Sequence, residues 1–199
     1  MINLLTKEEL IAFETDIANC FNNAMIKAPI HLYDGNEEQM IDIFKEVQPE
    51  DWIFCTWRSH YQCLLKGVPA EQIKQDILDG KSITLCYPEY NIYSSAIVTG
   101  NIPIATGMAL DIKRKGGKNH VWCFVGDMTA ETGTFYENWK YAYNHNLPIT
   151  YVVEDNGKSV CTDTKSTWGT NITMWENINN FNKPEETKII YYKYETKYP

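Results

Sequence analysis

The sequence lacks the features that would indicate a membrane-bound, secreted or nucleic-acid-binding protein. None of its apolar runs approaches the roughly 20 residues of a membrane span. Its first ten residues, MINLLTKEEL, contain no basic region followed by a long apolar run, so they do not indicate a signal peptide. The 18 Lys and Arg against 26 Asp and Glu give a net charge of -8, which would repel a phosphate backbone. We therefore expect a soluble cytoplasmic protein that binds neither membranes nor nucleic acid.

The six cysteines also lack a metal-binding pattern. They form no CxxC pair and have no histidine at the spacing of zinc ligands, so we interpret them as reduced thiols of an intracellular protein. What the sequence does contain is enough apolar material for a core. With 44% hydrophobic residues, a chain of 199 residues can bury one substantial core, and we expect a single domain over residues 1–199.

The first 50 residues predict a helical amino-terminal extension. Residues 6–9 match the T-x-x-E capping box, and apolar residues then recur at helical spacing. Asn36 follows an Asp-Gly turn and can cap a second helix that runs to about Val47. Another helix is predicted over residues 69–78, where the following glycine stops it.

The middle of the chain predicts a strand, helix, strand unit. Residues 120–127, HVWCFVGD, have the near-continuous apolar content of a parallel strand that is covered on both faces. A helix from Gly133 and a strand over residues 149–155 follow, and a right-handed crossover makes the two strands parallel. A further helix is predicted before this unit, over residues 97–117, and a short helix and a strand after it, over residues 168–182 and 188–199. We therefore expect an α/β fold with an open parallel sheet and helices on both faces.

Acidic and amide side chains end both strands of this unit. Asp127 ends the first strand, and Asp155 and Asn156 end the second, so their oxygen atoms are expected at one edge of the sheet. Such oxygens suit Mg2+, and the helix that begins near Gly133 favours an anion at its amino terminus, so a metal-bridged diphosphate would satisfy the pattern. Two simpler interpretations stay open: Asp127 as a helix cap or solvated loop residue, and residues 155–157 as a turn in their own right.

The residues of this unit resemble a known cofactor motif. GDMTAETGTFYENW, residues 126–139, and LPITYVVEDNGKSV, residues 147–160, are similar to the thiamine diphosphate motif, which opens with Gly-Asp-Gly and closes with Asn-Asn. The form is most similar to alpha subunits of the decarboxylating component of 2-oxo acid dehydrogenases. Residues 51–69 resemble the tyrosine-arginine-x-histidine segment of that family, and residues 94–111 its aminopyrimidine-binding segment. The resemblance covers about residues 51–164.

The resemblance implies thiamine diphosphate and Mg2+ as cofactors and gives roles to individual residues. Asp127 and Asn156 would bind Mg2+ through side-chain oxygens and Lys158 through its carbonyl oxygen, while Arg58 would donate a planar pair of hydrogen bonds to the diphosphate. A surface ion pair is the simpler interpretation of Arg58, and ordinary packing that of residues 96–98. The one histidine in a cofactor-associated segment, His60, is the catalytic candidate. The remaining cofactor-binding positions that the resemblance implies are Trp57, Ala96, Ile97, Val98, Gly126, Met128, Thr129 and Glu131.

The sequence also departs from the family pattern. Met128 replaces the third glycine of the motif, which predicts a looser loop or weaker cofactor binding. Asp155 replaces the first asparagine of the closing pair and adds negative charge, which would strengthen cation binding or repel the diphosphate. The sequence stops at residue 199, before the catalytic histidine loop that follows the late strand in the family. Three histidines are assigned to structural or surface positions: His31, His120 and His145.

The function implied by the resemblance is that of an alpha-type subunit which decarboxylates a 2-oxo acid and transfers the acyl or aldehyde unit. A beta-type subunit, carrying the pyrimidine-binding domain and the activating glutamate, would complete the active site in an alpha2beta2 assembly. Two alternatives remain. The chain could belong to a transketolase-like or carboligating enzyme, or it could be a shortened subunit that binds cofactor or partner without catalysis.

Overall fold

A computed structural model describes residues 5–176 and 186–198 and contains a five-stranded sheet with helices on both faces. In chain order, the helices and strands are α1 (Lys7–Asn22), α2 (Glu37–Phe44), β1 (Trp52–Cys55), α3 (His60–Leu65), α4 (Ala70–Leu78), β2 (Ile92–Ser94), α5 (Asn101–Arg114), β3 (Val121–Gly126), α6 (Asp127–Ala130), α7 (Gly133–Asn144), β4 (Ile149–Asp155), β5 (Lys158–Ser159), β6 (Thr162–Asp163), α8 (Thr164–Trp168) and β7 (Thr187–Lys193).

The large sheet has the strand order β2-β1-β3-β4-β7, and every neighbouring pair is parallel. Val121 pairs with Ile149, and Ile149 with Thr187, so the three longest strands are in register at their starts. Because all five strands run the same way, their carboxyl ends lie along one edge. The predicted α/β fold with a parallel sheet is therefore confirmed.

The two faces of the sheet carry separate helical layers. Side chains of successive strand residues point to opposite faces, so Phe54 lies on the face opposite to Ile53. Ile53 and Phe124 pack with the buried faces of α1, α2, α3 and α4. Phe54 and Val125 pack instead with those of α5 and α7. The central strands β3 and β4 are buried from both sides, which explains their near-continuous apolar sequence.

The amino-terminal helices contribute directly to the first of these layers. The capping box of α1 forms as predicted, with Glu9 N donating to Thr6 Oγ1 and Thr6 N to the Glu9 carboxylate. Leu10 of α1 is fully buried, and the Phe44 ring of α2 lies 6.1 Å from the Phe124 ring of β3. Residues 5–50 thus cover one face of the sheet.

Several elements differ from those predicted. Strands β1 and β2 and helix α3 lie in segments for which no such element was predicted, because these elements are only three to six residues long. The helix predicted from residue 97 begins at Asn101, and the late strand, predicted over residues 188–199, ends at Lys193.

Asn36 precedes α2, but its side chain makes no capping hydrogen bond. The helix predicted over residues 168–182 does not form as one element. Helix α8 ends at Trp168, Gly169 caps it with a φ of 65°, and within the described residues up to 176 only a short 3-10 turn follows, at residues 174–176. Residues 177–182 lie outside the described residues.

Within the described part of the chain, no helix has both the length and the apolar character that crossing a bilayer requires.

A buried polar link joins α1 to α3. The His60 side chain is fully buried, its Nδ1 lies 3.0 Å from Glu14 Oε1, and its Nε2 lies 2.9 Å from Ser82 Oγ. Glu14 and Ser82 are buried as well. A buried carboxylate is tolerated in such a layer only when it keeps its hydrogen-bond partner. His60 therefore stabilises the helical layer.

We expect His60→Leu to lower the free energy of unfolding by about 1–3 kcal/mol, because Glu14 would stay buried without its partner. Urea unfolding followed by tryptophan fluorescence measures the loss. His145→Leu is the matched control: His145 is exposed, so this change should alter stability by about 0.5 kcal/mol or less. Equal stability of the two variants would show that the buried link contributes nothing.

Candidate functional site

A cleft of about 50 Å³ lies at the carboxyl edge of the sheet. Its lining comes from the chain segments that follow β1, β3, β4 and β7, which the parallel topology brings together. In open parallel sheets, ligands bind at this edge. The lining residues are Thr56, Trp57, Arg58, Gly126, Asp127, Met128, Thr129, Glu154, Asn156, Lys158, Ser159, Val160 and Tyr194.

Asp127 lies in the cleft as a buried and partly unpaired carboxylate. The residue is only 2% exposed, and its Oδ2 accepts a hydrogen bond of 2.5 Å from Thr164 Oγ1. Its Oδ1 is buried without a hydrogen-bond partner among the described residues. Burial raises the pKa of Asp127 to about 6, the Thr164 hydrogen bond lowers it, and the nearby charge of Asp155 raises it. Asp127 is the first residue of α6, which follows Gly126 as its N-cap, and the N-cap of α7 is Thr132, so Asp127 occupies the N-cap position of neither helix.

The turn after β4 brings Asn156 and Lys158 to the same cleft. Asn156 Oδ1 accepts a hydrogen bond of 3.1 Å from Lys158 N, and Gly157 between them has a φ of 75°. The interpretation as a turn is therefore correct, and the turn also faces the cleft. The Asn156 oxygen keeps a second lone pair for another partner.

Asp155, the acid that departs from the family pattern, does not line the cleft. Its Oδ1 accepts a hydrogen bond of 2.8 Å from Gly157 N, and its Oδ2 accepts one from the Tyr191 hydroxyl. Asp155 is 4% exposed and fixes the turn to β7. Its charge still reaches the cleft, because it contributes to the raised pKa of Asp127.

The loop after β1 supplies the cationic side of the cleft. Arg58 is only 8% exposed, so it is not the surface ion pair of the simpler interpretation, and its guanidinium carbon lies 5.8 Å from the centre of the Tyr33 ring. Trp57 is half-buried, and its ring lies 5.8 Å from that of His31. Burial, with a smaller effect of the Arg58 charge, lowers the pKa of His31. The sequence predicts a structural or surface position for His31, and in the structure it lies beside Trp57 of the cleft.

Met128, Thr129 and Gly126 line the cleft at the start of α6. The other predicted positions lie apart from it. Glu131 accepts a hydrogen bond of 2.9 Å from Met174 N. Residues 96–98 lie in the loop after the edge strand β2, where Ile97 is 74% exposed. They share the carboxyl edge but do not contribute to the lining of the cleft.

His60, the predicted catalytic residue, does not line the cleft. Its segment approaches the site through Trp57 and Arg58, but α3 begins at His60 and directs the ring into the helical layer. There, Nδ1 contacts Glu14 and Nε2 contacts Ser82. The sequence places His60 in a segment that reaches the cleft, but the direction of its side chain depends on the packing of α3.

Glu154, near the end of β4, is a cleft residue that the sequence reasoning missed. Its carboxylate is 6% exposed and accepts hydrogen bonds from Asn36 Nδ2 at 3.0 Å, from the Tyr192 hydroxyl at 2.8 Å and from the Tyr33 hydroxyl at 3.2 Å. Burial raises the pKa of Glu154 to about 7, although these hydrogen bonds and the Arg58 charge lower it. The sequence contains a signal for Glu154: it is an acid inside the otherwise apolar strand ITYVVED, and a buried carboxyl group needs hydrogen-bond partners that are buried with it.

Comparison with known proteins gives one family. A family model described as the dehydrogenase E1 component matches residues 7–174. The alpha subunit of acetoin:2,6-dichlorophenolindophenol oxidoreductase from Bacillus subtilis (strain 168) is 31% identical over 160 residues, which are 75% of this chain and 48% of the relative. The alpha subunit of the pyruvate dehydrogenase E1 component from Porphyra purpurea is 29% identical over 161 residues, which are 72% of this chain and 47% of the relative.

The chain spans about half the length of these curated relatives. The match to the family model covers nearly all of the described residues, including every segment that lines the cleft except Tyr194. The chain therefore belongs to the dehydrogenase E1 component family.

Proposed function

We propose that this chain is an alpha-type subunit of an enzyme that uses thiamine diphosphate and Mg2+ to decarboxylate a 2-oxo acid and to transfer the acyl or aldehyde unit. The observation that carries this proposal is Asp127, a buried carboxylate with one oxygen lacking a partner, in the same cleft as Asn156 and Arg58. The names of the relatives, which refer to pyruvate and acetoin, support it.

The oxygens of the cleft fit a hard cation. Asp127 Oδ1, Asn156 Oδ1 and the carbonyl oxygen of Lys158 are of the kind that Mg2+ binds, usually together with phosphate and water. The described residues contain no group of three His, Cys, Asp or Glu side chains arranged for a metal. A site with one carboxylate is therefore compatible with Mg2+ only when an anionic ligand supplies further oxygens.

The charges around the cleft explain why a cation and a diphosphate would bind together. Asp127, Glu154 and Asp155 place carboxyl groups in or beside the cleft, and these would repel a diphosphate on its own. Mg2+ offsets this repulsion, while Arg58 can donate two hydrogen bonds to phosphate oxygens. Met128 and Thr129 also line the cleft, at the start of α6, where main-chain amides would approach the same oxygens.

The chain would hold the cofactor and leave the remaining walls to a partner. Thiamine diphosphate supplies the carbanion and the electron sink when it is bound. Pockets for such ligands usually enclose about 300–1,000 Å³, several times the volume of about 50 Å³ of this cleft. This difference supports a beta-type subunit that completes the site and contributes the activating glutamate, in an alpha2beta2 assembly.

Reconstitution with a candidate beta-type subunit, thiamine diphosphate and MgCl2 tests the reaction. We expect release of CO2 from pyruvate or another 2-oxo acid, or reduction of a dye in the presence of acetoin. Omission of either cofactor should abolish both signals. Ketol transfer without release of CO2 would replace our proposal by a transketolase-like or carboligating function. Cofactor binding without any turnover would indicate a noncatalytic subunit.

We expect Asp127→Asn to weaken binding of thiamine diphosphate in the presence of Mg2+ by about tenfold or more, because the variant loses the anionic ligand of the cation. Calorimetric titration of the chain, alone and with a candidate beta-type subunit, measures the affinity. Asp42→Asn is the control, since Asp42 is exposed on α2 and pairs with Lys45. An affinity as high in Asp127→Asn as in the control would remove Asp127 from the site.

Without Mg2+ and cofactor, Asp127→Asn should stabilise the chain. The pKa of Asp127 in the folded state, about 6, lies above the ordinary value of 3.8, so its contribution to stability falls as pH rises from about 4 to about 6. The shift corresponds to roughly 3 kcal/mol, so the variant should gain about this much at about pH 7.5 and little near pH 4. Urea unfolding at both pH values measures the gain, and a loss of stability at the higher pH would contradict it.

A further inference from the structure

The buried hydroxyl of Tyr33 connects two walls of the cleft. The residue is 1% exposed, and its hydroxyl oxygen lies 3.1 Å from the carbonyl oxygen of Arg58 and 3.2 Å from Glu154 Oε2. The same hydroxyl accepts a hydrogen bond of 2.5 Å from Gln62 Nε2. One phenol group from the segment between α1 and α2 thus joins the loop after β1 to the end of β4.

The Tyr33 ring fixes the position of this hydroxyl. It stacks on the ring of Tyr61 with a centroid distance of 4.6 Å and an interplanar angle of 10°. The guanidinium carbon of Arg58 lies 5.8 Å from the centre of the Tyr33 ring. The same aromatic side chain therefore contacts the guanidinium group of Arg58 through its ring and the main chain of Arg58 through its hydroxyl.

The hydroxyl has a role that the ring alone cannot fill. A hydroxyl carries one proton, and after accepting from Gln62 the Tyr33 hydroxyl shares that proton between the Arg58 carbonyl oxygen at 3.1 Å and Glu154 Oε2 at 3.2 Å. This shared hydrogen bond holds the Arg58 main chain and the end of β4, two residues before Asn156, against one atom. A bidentate arginine needs such support, because its two hydrogen bonds tolerate little displacement of the fork.

We propose that Tyr33 is a positioning residue for the diphosphate site: its hydroxyl holds the Arg58 main chain against Glu154 and so directs the guanidinium group into the cleft. This inference rests on the proposed function and adds to it. It makes a residue of the amino-terminal segment part of the apparatus that recognises the diphosphate.

Tyr33→Phe tests the inference, because it removes one oxygen atom and keeps the ring. Tyr61→Phe is a matched control: its hydroxyl is also buried and donates a hydrogen bond of 2.9 Å, to Glu37 Oε1, but Tyr61 does not line the cleft. Both variants should lose similar stability in urea unfolding. Calorimetric titration with MgCl2 and thiamine diphosphate should show about tenfold weaker binding for Tyr33→Phe and less than a twofold change for Tyr61→Phe.

A double-mutant cycle separates positioning from general destabilisation. In an Arg58→Gln background, Tyr33→Phe should weaken binding by less than twofold, because the group that it positions is already absent. The same tenfold loss in both backgrounds would overturn the inference, and so would equal losses for Tyr33→Phe and Tyr61→Phe.

Inorganic pyrophosphate with MgCl2 separates failure of this inference from failure of the proposed function. If the unmodified chain binds pyrophosphate but not thiamine diphosphate, the cofactor assignment is wrong, and the same cycle is then measured with pyrophosphate. If the unmodified chain, with a candidate beta-type subunit, binds neither compound, both the proposed function and the role of Tyr33 are overturned.

Discussion

The burial of three carboxyl groups at one edge of the sheet is the constraint on which the rest of the site depends. Glu154 is satisfied by three side-chain donors, and Asp155 by a turn amide and a tyrosine. Asp127 has a donor for one oxygen only. A buried charge is costly unless it is paired. Asp127 Oδ1 therefore needs a partner at this edge, and a cation is the simplest charged group that provides one.

The fold provides the donors from distant parts of the chain. The acidic residues meet because all five parallel strands end at the same edge of the sheet. The strands alone do not supply enough hydrogen-bond donors for these carboxyl groups. Tyr33 and Asn36 reach Glu154 from the segment between α1 and α2, and Tyr192 reaches it from β7. The amino-terminal segment therefore covers one face of the sheet and also supplies hydrogen-bond donors to an acid at its carboxyl edge.

The sequence predicts best those parts of the site that belong to one continuous sequence motif. The continuous apolar run of β3 and the spacing from Asp127 to Asn156 were sufficient to predict the central unit and the oxygen-bearing side chains that it places in the cleft. Residues that act through distant contacts could not be found in this way, since Glu154 and its partner Asn36 are 118 positions apart. The direction of a side chain could not be predicted from the sequence either. His60 follows Trp57 and Arg58 of the cleft in the chain, but the packing of α3 turns its side chain away from the cleft.

The separation of these contacts along the chain has a consequence for how the molecule acquires its site. Tyr33 and Glu154 are 121 positions apart, and Tyr192 reaches Glu154 only when β7 has paired with β4. The entropy of closing such long loops must be overcome before the contacts can form, so pairings of this kind are slow. We therefore expect the cleft to be among the last regions to become ordered during folding, and its residues to come together only after β7 has docked.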